Sequence, residues 1–433
     1  MLLGEISISF KGRQMKPEHA AQKQDRLPAF AIFAGVLAAA GLPIYIHAPK
    51  FYYDEYGISL TTMASVLFLL RLLDVFQDPF LGWLASILHQ SRGILVTIAG
   101  AIMSFGMIGL FAVPPQFSPA IWFAIMLALV FSSFSLLTIV FYAQGVDKAG
   151  NSPENTHIRI ATWRETGALI GVCFAAIAPT VLALRTSVPF AFFSVLFAAA
   201  TLVALLAMRK EWVSSPKRVS FSYGMILRDP VARRLLLVAF LNASPVAITS
   251  TLFLFFVESR LQAPGYDGPF LLLFFLAAAI STPFWGAIAA RYSAKAVLLA
   301  AMLLAIAAFS FAIFLQAGDI WQFAIICIIS GTALGADMTL LPSIFAARIA
   351  KFSYDADQAF AIWSFVTKLT LAIAAITVLP LLQSSGLEFG LPPPESALRM
   401  LTVLYAVLPC LLKLLAFSLL YKTKLGPDAA LIS

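Results

Sequence analysis

The sequence predicts an all-α integral membrane protein whose twelve spanning helices form two bundles of six. Three observations carry this. Of 433 residues, 61% are apolar or aromatic and 12% are charged, against ~45–50% and ~25% in soluble domains. Apolar runs of ~17–25 residues, the length a helix needs to cross a bilayer, recur twelve times. One long polar stretch, residues 209–234, divides those runs six and six. This composition, with a mean hydropathy of +0.91, excludes an ordinary soluble enzyme, a disordered tail protein and a nucleic-acid binder.

Taken in order, residues 1–27 carry Lys11, Arg13, Lys16, Lys23 and Arg26 without a long apolar run. No cleavable signal peptide is therefore expected, and the first span doubles as the targeting signal. The expected spans are 28–48, 59–85, 94–114, 119–145, 158–184 and 187–208, a bundle over 28–208. After the central loop 209–234 come 235–257, 268–290, 296–316, 320–346, 358–383 and 397–421, a second bundle over 235–421, and a tail over 422–433. Strands of a membrane barrel would alternate apolar and polar residues, but Ala296 to Phe314 is apolar on every face apart from Ser310. Cys173, Cys327 and Cys410 lie inside apolar runs, too far apart for a zinc site, and read as packing residues.

The placement of Lys and Arg gives the topology. With the N-terminus cytoplasmic, 21 fall in cytoplasmic loops and helix ends, and only Lys50, Arg185, Arg260 and Arg399 fall opposite. Both termini are thus expected in the cytoplasm, in a multi-pass protein of the cell (inner) membrane. The basic central loop then reads as a topology and membrane-surface element.

Eight charges remain inside the spans: Arg71, Asp74, Asp78, Arg164, Glu165, Asp337, Lys368 and Lys413. Each costs about 2.5–3.5 kcal/mol at a helix centre, so they must be paired or line water. Arg71, Asp74 and Asp78 stand at i, i+3 and i+7 on one stripe of the second helix. Two carboxylates one turn apart repel, and a cation between them relieves the repulsion, which is the requirement for a Na+ or H+ site. Arg71 neutralising Asp74, or a purely structural ion-pair network, is the competing reading. Pro79 follows and can loosen the helix ladder beside the site. Arg164 and Glu165 point ~100° apart on a helix, which predicts that they do not simply neutralise each other.

The stretch FYYDEYGISLTTMASVLFLLRLLDVFQDPFLGWLAS, Phe51 to Ser86, resembles the second-helix signature of the glycoside-pentoside-hexuronide:cation symporters, typified by the melibiose carrier, in the major facilitator superfamily. Its core R-x-x-D-x-x-x-D-P-x-x-G is present as Arg71, Asp74, Asp78, Pro79 and Gly82. The resemblance implies the major facilitator fold, no enzymatic activity and no cofactor. It also implies that Asp74 and Asp78 bind a coupling Na+, Li+ or H+, and are metal ligands if the ion is Na+. In AFAIWSFVTKLTLAIAAI, Lys368 falls on the family's eleventh-helix lysine, and in TWRETGALIGV, Arg164 falls on its fifth-helix arginine. Arg71, Lys368 and Arg164 are on this basis the expected coupling cations. A lysine that bonds the aspartates in one state only would link cation occupancy to bundle movement.

The departures concern the solute. Galactoside-binding relatives carry acidic residues in the first and fourth helices, where this chain has Ala38 (GVLAAAGLP) and Thr138 (LLTIVFYAQG), and Ala347 in LLPSIFAARIA replaces a usual aspartate. The residues left to line a substrate cavity are Thr138, Tyr142, Gln144, Trp163, Glu165, Asn242, Asp337 and Trp363, with Asn242 beside Pro245 suggesting a broken helix. Lys413, near Tyr421, has the length to snorkel to the surface. The expected activity is cation-coupled symport of a small organic solute, a sugar or glycoside, by alternating access in a monomer. The alternatives are a lysolipid or amphiphile transporter and a non-transporting carrier-fold receptor. No HExxH or GxSxG motif supports a membrane-embedded enzyme, and one asymmetric chain without repeated filter residues argues against a channel.

Overall fold

A computed structural model describes residues 26–150, 152–212, 223–386 and 394–425. Lys11, Arg13, Lys16 and Lys23 of the tail, and Lys217 and Arg218 of the central loop, lie outside the described residues. Twelve long helical segments run through the rest: α1 (Leu27–Tyr56), α2 (Leu60–Ile87), α3 (Arg92–Phe111), α4 (Pro119–Ala149), α5 (Glu154–Ala183), α6 (Pro189–Met208), α7 (Pro230–Arg260), α8 (Asp267–Arg291), α9 (Ala294–Phe314), α10 (Ile320–Lys351), α11 (Ala356–Ser384) and α12 (Glu395–Lys422). Among the described residues, the ten from α3 to α12 are long and apolar enough to cross a membrane. The first two have spanning length, 30 and 28 residues, and α2 carries the three-charge stripe.

Local chemistry sets the ends. Gly57 closes α1 in the left-handed region at φ 65°, a conformation that costs a residue with a Cβ and suits glycine. The expected start of the second bundle at 235 moves forward to Pro230, because Asp229 accepts from the Val231 and Ala232 amides and proline suits the first turn. A short helix, Tyr223–Arg228, precedes it.

The outer surface is as apolar as the core: Phe174, Phe284 and Trp321 are 72%, 66% and 82% exposed, which suits contact with lipid. Within the first half, Phe30, Phe33, Phe123 and Phe141 are buried together. Its tightest seam joins α1 to α5. A Cβ on Gly167 would lie 2.1 Å from the Ala31 carbonyl oxygen, and one on Gly171 2.1 Å from that of Gly35, so the two backbones touch along a G-x-x-x-G edge. The halves meet through α2 and α4 against α11, and α5 against α8 and α10.

Asp229 also ties α7 to α10, accepting from Arg348 Nε at 2.8 Å and Nη2 at 2.9 Å. Burial alone would raise this carboxyl, but the bidentate guanidinium and the two helix amides outweigh it and hold it below the usual carboxylate range. A depressed native value stabilises the fold above the unfolded value and is lost as pH falls through it. Asp229→Asn is expected to lower stability by about 2 kcal/mol at neutral pH and to flatten the acid side of the melting-temperature profile.

Candidate functional site

Three buried clusters hold seven of the eight intramembrane charges. In the first, α2 presents Asp74 and Asp78 one turn apart, 7% and 0% exposed, and α11 from the other half delivers Lys368 between them. Lys368 Nζ donates to Asp74 Oδ1 at 2.8 Å and to Asp78 Oδ1 at 3.0 Å. It also bonds the Ser135 hydroxyl, which donates to Asp74 Oδ1 at 2.9 Å. Gln77 adds a bond to Asp74 at 3.2 Å and is held by Ser132 at 2.7 Å. Asp78 Oδ2 is buried and accepts no hydrogen bond. With both carboxylates ionised, the bonded triad of two carboxylates and one ammonium would carry a net charge of −1. Lys368, rather than Arg71, is thus the cation seated between the aspartates, while Arg71 is half-buried one turn before Asp74.

The second cluster corrects the expectation for Arg164 and Glu165. Arg164 Nε donates to Glu165 Oε1 at 2.7 Å, because the long guanidinium side chain folds back across the ~100° between neighbours. Tyr142 donates to the same oxygen at 2.8 Å, and its ring lies 3.5 Å under the guanidinium carbon. Arg164 is therefore committed to Glu165 and Tyr142 and does not join the aspartate pair. Ser135, Thr138 and Tyr142 share one face of α4, so half-buried Thr138 lies between the two clusters.

The third cluster lies in the second half, where Lys413 Nζ donates to Asp337 Oδ2 with both side chains 7% exposed. Lys413 is thus a buried partner and not a snorkelling surface residue. The Asn242 amide faces the same carboxyl. Two further expectations change. Trp363 is 9% exposed and packs on Phe345 at 4.9 Å, so it belongs to the core. Trp163 is 42% exposed on α5.

Gln144 belongs to a network at the end of the molecule where α2 and α10 finish and α11 starts. Arg92, 2% exposed, donates to Gln144 at 2.8 Å, to Asp147 at 2.7 Å and, across the halves, to Asp357 at 2.6 Å. Ser86 donates to Asp355 at 2.5 Å, and Tyr223 donates to the Pro79 carbonyl. Burial and the neighbouring Asp357 charge raise the Asp355 carboxyl. These contacts close the cleft between the halves at this end. Sequence reasoning missed them: Arg92 counted only as a topology residue, and Asp355 and Asp357 lie just before the expected span 358–383 and were given no role. The three serines in FSSFSLL of α4 were the available signal for Ser132 and Ser135.

Gly82 sits in the closed end, where its Cβ would lie 2.2 Å from that of Ala361. Gly82→Leu is expected to wedge the halves apart there. Double electron–electron resonance between spin labels on α2 and α11 at that end should show the short distance lost while the protein stays folded.

A family model for MFS/sugar transport proteins matches residues 29–426, nearly the whole chain. The chain belongs to that family. It includes the melibiose-carrier-like glycoside-pentoside-hexuronide symporters, and its members are membrane transporters rather than enzymes. No curated protein sequence matches the chain significantly. Among solved structures, a bacterial homologue of the iron transporter ferroportin in an outward-facing state superposes with a TM-score of 0.70 at 13% identity, covering 92% of this chain and 98% of that one. The E. coli fucose:proton symporter gives 0.67 at 13% identity over the same shares. The human organic anion transporter MFSD10 gives 0.61 at 16%, over 91% and 98%. These likenesses establish the major facilitator fold, and the protein is an integral, multi-pass membrane transporter.

Proposed function

We propose that this transporter carries a small hydroxylated organic solute, of the sugar or glycoside class, in symport with one monovalent cation, Na+ or H+. The observation that supports this reading is the triad of Asp74, Asp78 and Lys368. Two buried carboxylates share one ammonium, and Asp78 Oδ2 is left without a donor. One added cation makes the triad neutral and satisfies the orphaned oxygen, so the site has a use for a single positive charge.

Lys368 belongs to α11 and the carboxylates to α2, so their bonds tie the two halves together in the cation-free state. A cation entering between Asp74 and Asp78 takes over part of the role of Lys368 and loosens that tie. Cation occupancy then has different affinity in the two arrangements of the halves, which is what coupling requires. The family description as sugar transport proteins supports the solute class. With both termini cytoplasmic, as the Lys and Arg asymmetry suggests, the closed end faces the cytoplasm and this arrangement is outward-facing. The inner membrane and a monomeric state complete the reading.

The test is uptake of a panel of labelled sugars and glycosides into proteoliposomes under an imposed Na+ or proton gradient. Accumulation above the external concentration under one gradient, and equilibration without it, is the expected result. Equal uptake with and without either gradient would overturn the coupling.

A further inference from the structure

His89 lies in the turn between α2 and α3, at the closed end, with its side chain 17% exposed: packed among its neighbours, yet within reach of protons from water. The Arg92 guanidinium, charged at any ordinary pH, places Nη2 2.9 Å from His89 Nδ1. Because a guanidinium can only donate, Nδ1 accepts, and the ring in this arrangement is neutral with its proton on Nε2. The same Nδ1 stands 3.6 Å from Asp357 Oδ2, which belongs to α11 and so to the other half.

The charge around the ring is unbalanced. Asp147 faces it from α4, Asp357 from α11 and Asp355 from the residue before α11, against the single guanidinium of Arg92. Lys148, the next cation on α4, is paired with Glu211. Asp357 Oδ1 is buried and accepts no hydrogen bond. A proton on Nδ1 ends the bond from Arg92 and turns the ring into a charged donor facing Asp357, while Arg92 keeps Asp147 at 2.7 Å and Asp357 at 2.6 Å. Arg92 repels the imidazolium, but the carboxylates outnumber it. The new ion pair crosses the halves and exists only while α11 lies against this turn. The charged ring is therefore favoured in the closed arrangement over the parted one, and by linkage protons favour closure.

We propose that His89 is a proton-operated latch: neutral, it buttresses Arg92 and lets the halves part, and charged, it pairs with Asp357 and holds this end shut. Acid on the side that this end faces thus arrests the carrier closed there. The latch shares no residue with the Asp74–Asp78–Lys368 triad and holds whichever ion or solute the protein carries.

The test is double electron–electron resonance between spin labels on α2 and α11 at the closed end, in lipid nanodiscs without solute or Na+, from pH 8.5 to 5.5. The ratio of short to long distances is expected to rise about tenfold as pH falls, the effect of a tenfold difference in proton affinity between the two arrangements. The rise should fall in the range where imidazole titrates, around pH 6.5 or somewhat above. His89→Gln keeps a neutral acceptor for Arg92, so it should fold, and its ratio should change less than twofold. His89→Lys, charged throughout, should stay at the short distance across the range. The rise should persist in Asp355→Asn and in Asp78→Asn, which remove the other carboxyls able to take up a proton at this end and at the triad. A flat wild-type profile, a full rise in His89→Gln, or a rise lost in Asp78→Asn and kept in His89→Gln would each overturn the latch.

Discussion

Asp78→Asn is expected to abolish concentrative uptake, with a fall on the order of 100-fold, the upper end of ordinary coupling energies. The reason is electrostatic. The change turns a triad of net charge −1 into a neutral Asp74–Lys368 pair, and a cation then has nothing left to neutralise. The shape of the side chain is kept, and a buried charge is removed from a position that is 0% exposed, so folding should survive. A cation at about 100 Kd adds roughly 2.7 kcal/mol of stability to a protein that binds it. The melting temperature of the wild type should therefore rise with the coupling ion, and that of the variant should not. Solute exchange without a gradient should persist in the variant, since exchange does not require the ion to drive it. Concentrative uptake that continued in Asp78→Asn, with protein level unchanged, would remove the triad from the mechanism.

Gly167→Leu is expected to have the largest effect on the fold. A Cβ there would lie 2.1 Å from a backbone oxygen of Ala31 and 2.5 Å from its Cα, and backbone cannot swing aside as a side chain can. Relief requires separating α1 from α5 along their whole seam, at a cost on the order of 4 kcal/mol or more. Size-exclusion profiles should show loss of the monodisperse peak. Gly268→Ala, where an added Cβ meets nothing within 4 Å, should behave like the wild type. A monodisperse Gly167→Leu with an unchanged melting temperature would mean that α1 and α5 are not in backbone contact.

The site was legible in the sequence to the extent that charge in an apolar run is conspicuous. Asp74, Asp78 and Lys368 could be picked out because each is too costly to leave unpaired in a bilayer. What their spacing could not reveal was the assignment of partners, since Arg71 and Lys368 both had the charge and the reach to serve Asp74. That choice depends on how closely α11 approaches α2, a tertiary distance that helical periodicity does not encode. Arg164 and Glu165 failed for a related reason: backbone angles predict where a Cβ points, whereas a guanidinium several bonds further out can double back. Gln144 was misplaced because a buried amide reads the same whether it faces solute or a gate. The glycines of GALIG carried a readable small-xxx-small spacing, and they set the α1–α5 seam.

The resident lysine has a consequence for the membrane voltage. Under the proposed coupling, the triad crosses the bilayer neutral when it holds one cation and with one negative charge when it does not. The loaded step is then indifferent to potential, and the electrical work falls on the return of the empty carrier. An interior-negative membrane repels that charge outward, favouring the return by up to ~2.3 kcal/mol per 100 mV if the charge traverses the whole field. Current recorded from a solid-supported membrane should therefore attach to the empty return and vanish under conditions of pure exchange.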